Sequence, residues 1–169
     1  MFNPFAAKQN ASFHDALDAG VAAAPSGRRY VRCCFCHHPF CVSLAAIVLT
    51  CPACNQRARV DDIIIANTES QVKIETCGKV FIRRRGKLSV RQIRAGLGIE
   101  VLGALAADNV RCGRLYLGPG ASWKGDCTTG SLNMDDSATV RSGKFTIDPH
   151  LRTGSVIKLP ALPLSPMLV

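Results

Sequence analysis

No stretch of the chain stays apolar for the roughly 18–20 residues that a helical membrane span needs. The longest apolar run, Cys41 to Leu49, is short and lies between cysteine pairs. A basic-then-apolar leader is missing from the first residues. Without such an export signal, the nine cysteines, an odd number clustered as pairs, read as metal ligands and buried thiols in a reducing cytoplasm. Carboxylates are few: 12 Asp and Glu stand against 21 Lys and Arg, a formal charge of +9. That surplus favours an anionic partner, either nucleic acid or an acidic membrane surface. Among Arg28, Arg29, Arg32, Arg57 and Arg59 only Tyr30 offers a stacking ring, which argues against single-stranded nucleic acid.

What is present is a repeat. Val80/Ile82, Leu97/Ile99, Leu115/Leu117 and Leu132/Met134 follow one another at steps of 17, 18 and 17 residues. Leu88, Leu105, Trp123 and Val140 keep the same steps, as do Gly86, Gly103, Ala121, Ala138 and Ala95, Cys112, Gly130, Ile147. Four columns in one register with so short a period indicate a solenoid. Within each unit apolar residues are spaced by two, as in 80/82, 88/90 and 97/99, which is the period of a pleated strand. Gly, Asn, Asp, Ser and Arg fill the intervals, as short turns require. The chain is therefore expected to be all-β. Coils of about 17 residues would stack at the strand spacing of about 4.8 Å. The expected core is Val80, Ile82, Leu88, Val90, Leu97, Ile99, Leu105, Leu115, Leu117, Trp123, Leu132, Met134, Val140 and Ile147. Cys112 falls in an inward column, and Cys127 falls in none.

Ahead of the repeat, Cys33-x-x-Cys36 and Cys51-x-x-Cys54 are separated by 14 residues. Two such knuckles close a tetrahedral site, so one structural Zn²⁺ per chain is expected on Cys33, Cys36, Cys51 and Cys54. Cys34-x-x-His37 has the same spacing and is a rival first knuckle. Tyr30, Val31, Phe40, Val42 and Val60 supply a small apolar shell, and with so little core the metal would contribute most of the folding energy. The expected organisation is a tail over 1–29, a zinc ribbon over 30–62, the β-helix over 63–159 and an apolar, Pro-rich tail over 160–169. No Pro/Gly linker separates ribbon from coils, so the ribbon is expected to pack against the helix end.

Two further features point to anionic surfaces. Phe2, Phe5 and Lys8 place two aromatic rings and a cation near a free end, which suits a lipid interface. Arg83, Arg84 and Arg85 fall on an outward turn and form either a solvated corner or a patch for phosphate or lipid.

The run "RLYLGPGASWKGDCTTGSLNMDDSATVRSGKFTI" resembles the bactofilins, polymer-forming cytoskeletal proteins of bacteria. The likeness covers most of residues 63–150. The preceding "CCFCHHPFCVSLAAIVLTCPACNQRARVDDIII" is similar to the zinc ribbon ahead of that domain in some members, and "MFNPFAAKQ" to their membrane-targeting ends. The resemblance implies a right-handed β-helix joining end to end into nonpolar, nucleotide-independent filaments. It also implies a cytoplasmic scaffold, peripheral at the inner face of the cell membrane, that recruits other proteins. The ribbon and the apolar tail depart from the simplest family pattern, and either would cap one end.

A non-enzymatic scaffold is thus the expected function. An acyltransferase of the left-handed β-helix type requires a strict six-residue step; Ile82 to Leu88 obeys it, but Arg94 and the 17-residue coils break it. Only His150 lies within or after the coils, leaving little choice of general base. The alternative is a ribbon that binds nucleic acid on a β-helical body.

Overall fold

The computed structural model describes residues 27–152. Phe2, Phe5, Lys8 and the tail from 160 onward lie outside the described residues. Four short strands come first: β1 (Arg28–Arg32), β2 (Pro39–Ser43), β3 (Val48–Thr50) and β4 (Arg57–Arg59). They form two antiparallel hairpins, β1 with β2 and β3 with β4. The rest is a β-solenoid of about five turns built from parallel strands. These are β5 (Ile63–Ile65), β6 (Thr68–Thr76), β7 (Lys79–Ile82), β8 (Lys87–Ala95) and β9 (Gly98–Val101). There follow β10 (Ala104–Leu117), β11 (Ser122–Met134), β12 (Thr139–Ser142), β13 (Phe145–Ile147) and a 3-10 turn (Pro149–Leu151).

Each coil has three faces, and each face is a stack of parallel strands whose inward side chains pile into files. On the first face Ile63, Val80, Ile99, Leu115 and Leu132 lie in one file, with Ile65, Ile82, Val101, Leu117 and Met134 beside them. The second face aligns Glu69, Leu88, Leu105, Trp123 and Val140. On the third, Ile74, Ile93, Val110, Cys127 and Phe145 run beside Thr76, Ala95, Cys112, Thr129 and Ile147. These files form one continuous apolar core. The same alternation that puts Leu88 and Val90 inside leaves Ser89 and Arg91 in solvent.

The file through Leu88, Leu105, Trp123 and Val140 matches the sequence columns. The first face corrects them. Ile99 and Val101 stack on Val80 and Ile82, whereas Leu97 lies at the corner, half-buried against the ribbon rather than in the coil core. The reason is the Arg83–Arg85 turn. Ile82 and Leu88 are six residues apart, whereas the matching pairs Ile65/Glu69 in the coil before and Val101/Leu105 in the coil after are four apart. Six recurs at Leu117/Trp123 and Met134/Val140, so this corner varies between four and six residues from coil to coil, giving steps of 17, 19, 16 and 17 along the first face. Similarly Thr129, not Gly130, completes the Ala95–Cys112 file. Its hydroxyl is fully buried and donates to the Ser131 carbonyl at 2.9 Å, so a polar side chain is accommodated there. Cys127, without a sequence column, is a core residue.

Burial fades at the far end. Met134, Val140 and Ile147 occupy inward register positions, yet 45%, 36% and 46% of their surface is exposed, because no further coil lies above them among the described residues. At the other end the second-face file begins with Glu69, and Gln71 donates to its carboxylate at 3.0 Å. The two ends of the solenoid therefore differ on the second face, where one presents Val140 and the other Glu69 and Gln71.

Candidate metal centre and open coil end

The two hairpins each end in a knuckle of the same construction. In the first, His37 N–H donates to the Cys33 carbonyl at 3.0 Å, Cys33 N–H to the His38 carbonyl at 2.9 Å, and Phe35 N–H to the Cys33 thiol at 3.4 Å. In the second, Asn55, Cys51 and Ala53 repeat these bonds with Cys51, Gln56 and Cys51 at 3.0, 2.9 and 3.4 Å. His37 and Asn55 have φ of 64° and 59°, the left-handed conformation that turns the chain back after the second thiol of each pair.

Facing each other, the knuckles bring four thiols within 4.8 Å of one another: Cys33, Cys36, Cys51 and Cys54. Cys33 Sγ lies 3.7 Å from Cys54 Sγ, and Cys36 Sγ 3.7 Å from Cys51 Sγ. These spacings far exceed a disulfide bond of about 2.05 Å, and all four cysteines are free thiols. They suit four ligands at the corners of a tetrahedron around one ion. Burial pushes the Cys33 thiol up, whereas the N–H of Gln56 donated to Cys54 pulls that thiol down.

The rival knuckle is set apart. Cys34 points away from the four thiols into a second apolar cluster with Val31, Val42, Ala58, Val60 and Cys77. Its hydrogen bond to Cys77 pushes the Cys34 thiol up. That cluster joins ribbon to solenoid, along with half-buried Phe35, Phe40 and Leu97. The main chain is joined too: Cys77 N–H donates to Arg59 O at 2.8 Å and Arg32 N–H to Cys77 O at 3.2 Å. Gly96 passes so close beneath this junction that a Cβ would sit 1.7 Å from the Arg32 carbonyl oxygen. The ribbon thus covers the third face at the first coil and one corner beyond it.

Arg32, which the sequence offered only as a nucleic-acid contact, closes that corner. Its guanidinium donates to His37 O at 2.7 Å, and also to Leu151 O at 3.1 Å and Arg152 O at 2.6 Å. It spans 119 residues of sequence, a contact that no local pattern reveals. Other ribbon arginines are also engaged. Arg29 pairs with Asp62 at 3.0 Å, and Arg59 with Asp61, holding that carboxyl below the usual range. Arg28 and Arg57 have no ion pair among the described residues.

Arg83, Arg84 and Arg85 are exposed on the projecting turn, without an ion pair among the described residues. An open groove of about 790 Å³ follows another corner, floored by the small side chains Ser70, Ser89, Ala106 and Ser142 with Lys124 among them. The last coil leaves the outer edges of its strands, Thr139–Ser142 and Phe145–Ile147 among them, without a strand partner among the described residues. Among the described residues no helix is long and apolar enough to cross a membrane. In comparisons with family models, curated proteins and solved structures, nothing matches the chain.

Proposed function

We propose that this protein is a non-enzymatic, bactofilin-like scaffold that self-associates through the open end of its solenoid, independently of nucleotide, and docks at an anionic membrane. One observation carries the reading: among the described residues the last coil has no further strand stacked on it, and it is apolar where a stacked partner would lie. Unpaired N–H and C=O groups along such an edge template the addition of another strand. Met134, Val140 and Ile147 add apolar surface that another chain would bury. The resemblance of residues 63–150 to bactofilins supports the same conclusion.

In this reading the ribbon holds one structural Zn²⁺. Zn–S bonds of about 2.3 Å in a tetrahedron put sulfurs about 3.8 Å apart, and 3.7 Å agrees with that edge. Four thiolates fill the coordination shell, leaving no position for a substrate. The arginines that would favour nucleic acid are partly spent on Asp61, Asp62 and main-chain carbonyls, which weakens that alternative.

The test is assembly. The purified chain is expected to form filaments or sheets in negative-stain microscopy without nucleotide, and Val140→Asp to abolish them with the circular dichroism of the coils retained. Wild-type protein that sediments as a monomer at high concentration would rule the scaffold out.

A further inference from the structure

The second concentration of exposed apolar surface lies on the ribbon, far in sequence from the open coil. Leu44 and Ile47 are 63% and 60% exposed, and Val48 and Leu49 beside them are exposed as well. They form the turn between β2 and β3, tightened by the Ala46 N–H donated to Ser43 O at 3.0 Å, and continue into β3, whose outer edge has no strand partner among the described residues. Nothing in the metal centre requires this. The four thiols sit at the opposite ends of the hairpins, and the small core uses Val42, Ala58 and Val60 instead.

The charge around this tip is predominantly positive, and the nearby carboxylates of Asp61 and Asp62 are held by Arg59 and Arg29. Residues 27–60 contain five arginines and no Asp or Glu. Arg28 sits opposite Ser43 at the mouth of the turn, and Arg57 opposite Thr50 beside the edge strand. Both are exposed and without an ion pair among the described residues. Arg59, opposite Val48, adds a third exposed guanidinium, paired to Asp61. A projecting apolar turn flanked by uncommitted cations is the chemistry of an interfacial anchor, with side chains entering the acyl boundary while guanidiniums meet anionic headgroups. A second copy of the chain at this patch would bring like charges together across the contact, which disfavours it. A bilayer needs no matching pocket and accepts a convex tip.

We propose that the Leu44–Leu49 turn, with Arg28 and Arg57, is a membrane-contacting site for an anionic bilayer, separate from the Phe2/Phe5/Lys8 end. It does not depend on polymerisation: a chain that binds vesicles as a monomer would leave this site standing and remove the scaffold reading.

The test uses the full-length chain with Phe2→Ser, Phe5→Ser and Lys8→Ser, which silences the other foot, and vesicles of phosphatidylcholine with or without phosphatidylglycerol. This chain is expected to pellet with the anionic vesicles only. Adding Leu44→Ser and Ile47→Ser is expected to weaken pelleting by about tenfold while zinc content and circular dichroism stay unchanged. Separately, an Ile47→Trp reporter should shift to shorter wavelength and be quenched by brominated lipid. Unchanged pelleting in the doubly substituted turn, equal pelleting with neutral vesicles, or an unshifted reporter would each overturn the site. A drop in oligomeric state on substituting the turn, with no change in lipid binding, would overturn it in favour of a contact between chains.

Discussion

Trp123 carries more of the core than any other side chain. It is fully buried in the file between Leu105 and Val140, its ring centroid 5.6 Å from that of Phe145. Its Nε1 donates to Gly125 O at 2.8 Å, so the indole is both packed and satisfied. Trp123→Ala is expected to cost about 3–5 kcal/mol, measured by urea unfolding of the coils; a loss below 1 kcal/mol would mean that the neighbouring coils close over the gap. Gly125 itself lies at φ 129° against the Ala107 carbonyl oxygen, where a Cβ would sit 1.6 Å away. The coil can turn there only because the residue has no side chain. Trp123 was legible as core because its column repeats in the sequence. Leu97 was misplaced because a fixed step cannot register a corner that varies between four and six residues. Thr129 was missed because an apolar pattern does not anticipate a buried hydroxyl that finds a carbonyl.

At the scale of elements, the ribbon is two copies of one hairpin held by four thiols and a thin apolar shell. Cysteine spacing revealed the pairs, but only the facing of the two knuckles separated Cys33 and Cys36 from Cys34 and His37. Cys34 lies in the knuckle turn and packs into the apolar cluster with Cys77. Such a module draws most of its stability from metal. Elemental analysis is therefore expected to return about one zinc per chain. Cys51→Ser should release it and unfold residues 28–59, detected as loss of amide protection there; a variant that keeps both its protection and its metal would contradict the four-thiol centre. The junction at Gly96 is invisible to sequence pattern, since it reflects contact between a glycine and a carbonyl 64 positions away.

At the scale of the molecule, the second face of the five coils runs from Glu69 at one end to Val140 at the other, and the ribbon covers the third face at the first coil. Sequence periodicity disclosed the stack and its spacing. It did not disclose the fading of burial in coil five, because position in a file says nothing about whether another coil follows. The route of the chain after that coil also escaped it: Leu151 is buried beside β11, and Arg32 reaches the carbonyls of Leu151 and Arg152. Arg32→Ala is expected to raise hydrogen exchange across residues 145–152 by about tenfold while leaving the middle coils protected; unchanged exchange would show that Leu151 alone secures the segment. Because the same guanidinium also grips His37 in the first knuckle, the two extremities of the fold share a fastening. Loss of a metal from the thiols at one extremity would slacken the other, so in the scaffold we propose, a cell's metal supply would reach the surface offered for stacking.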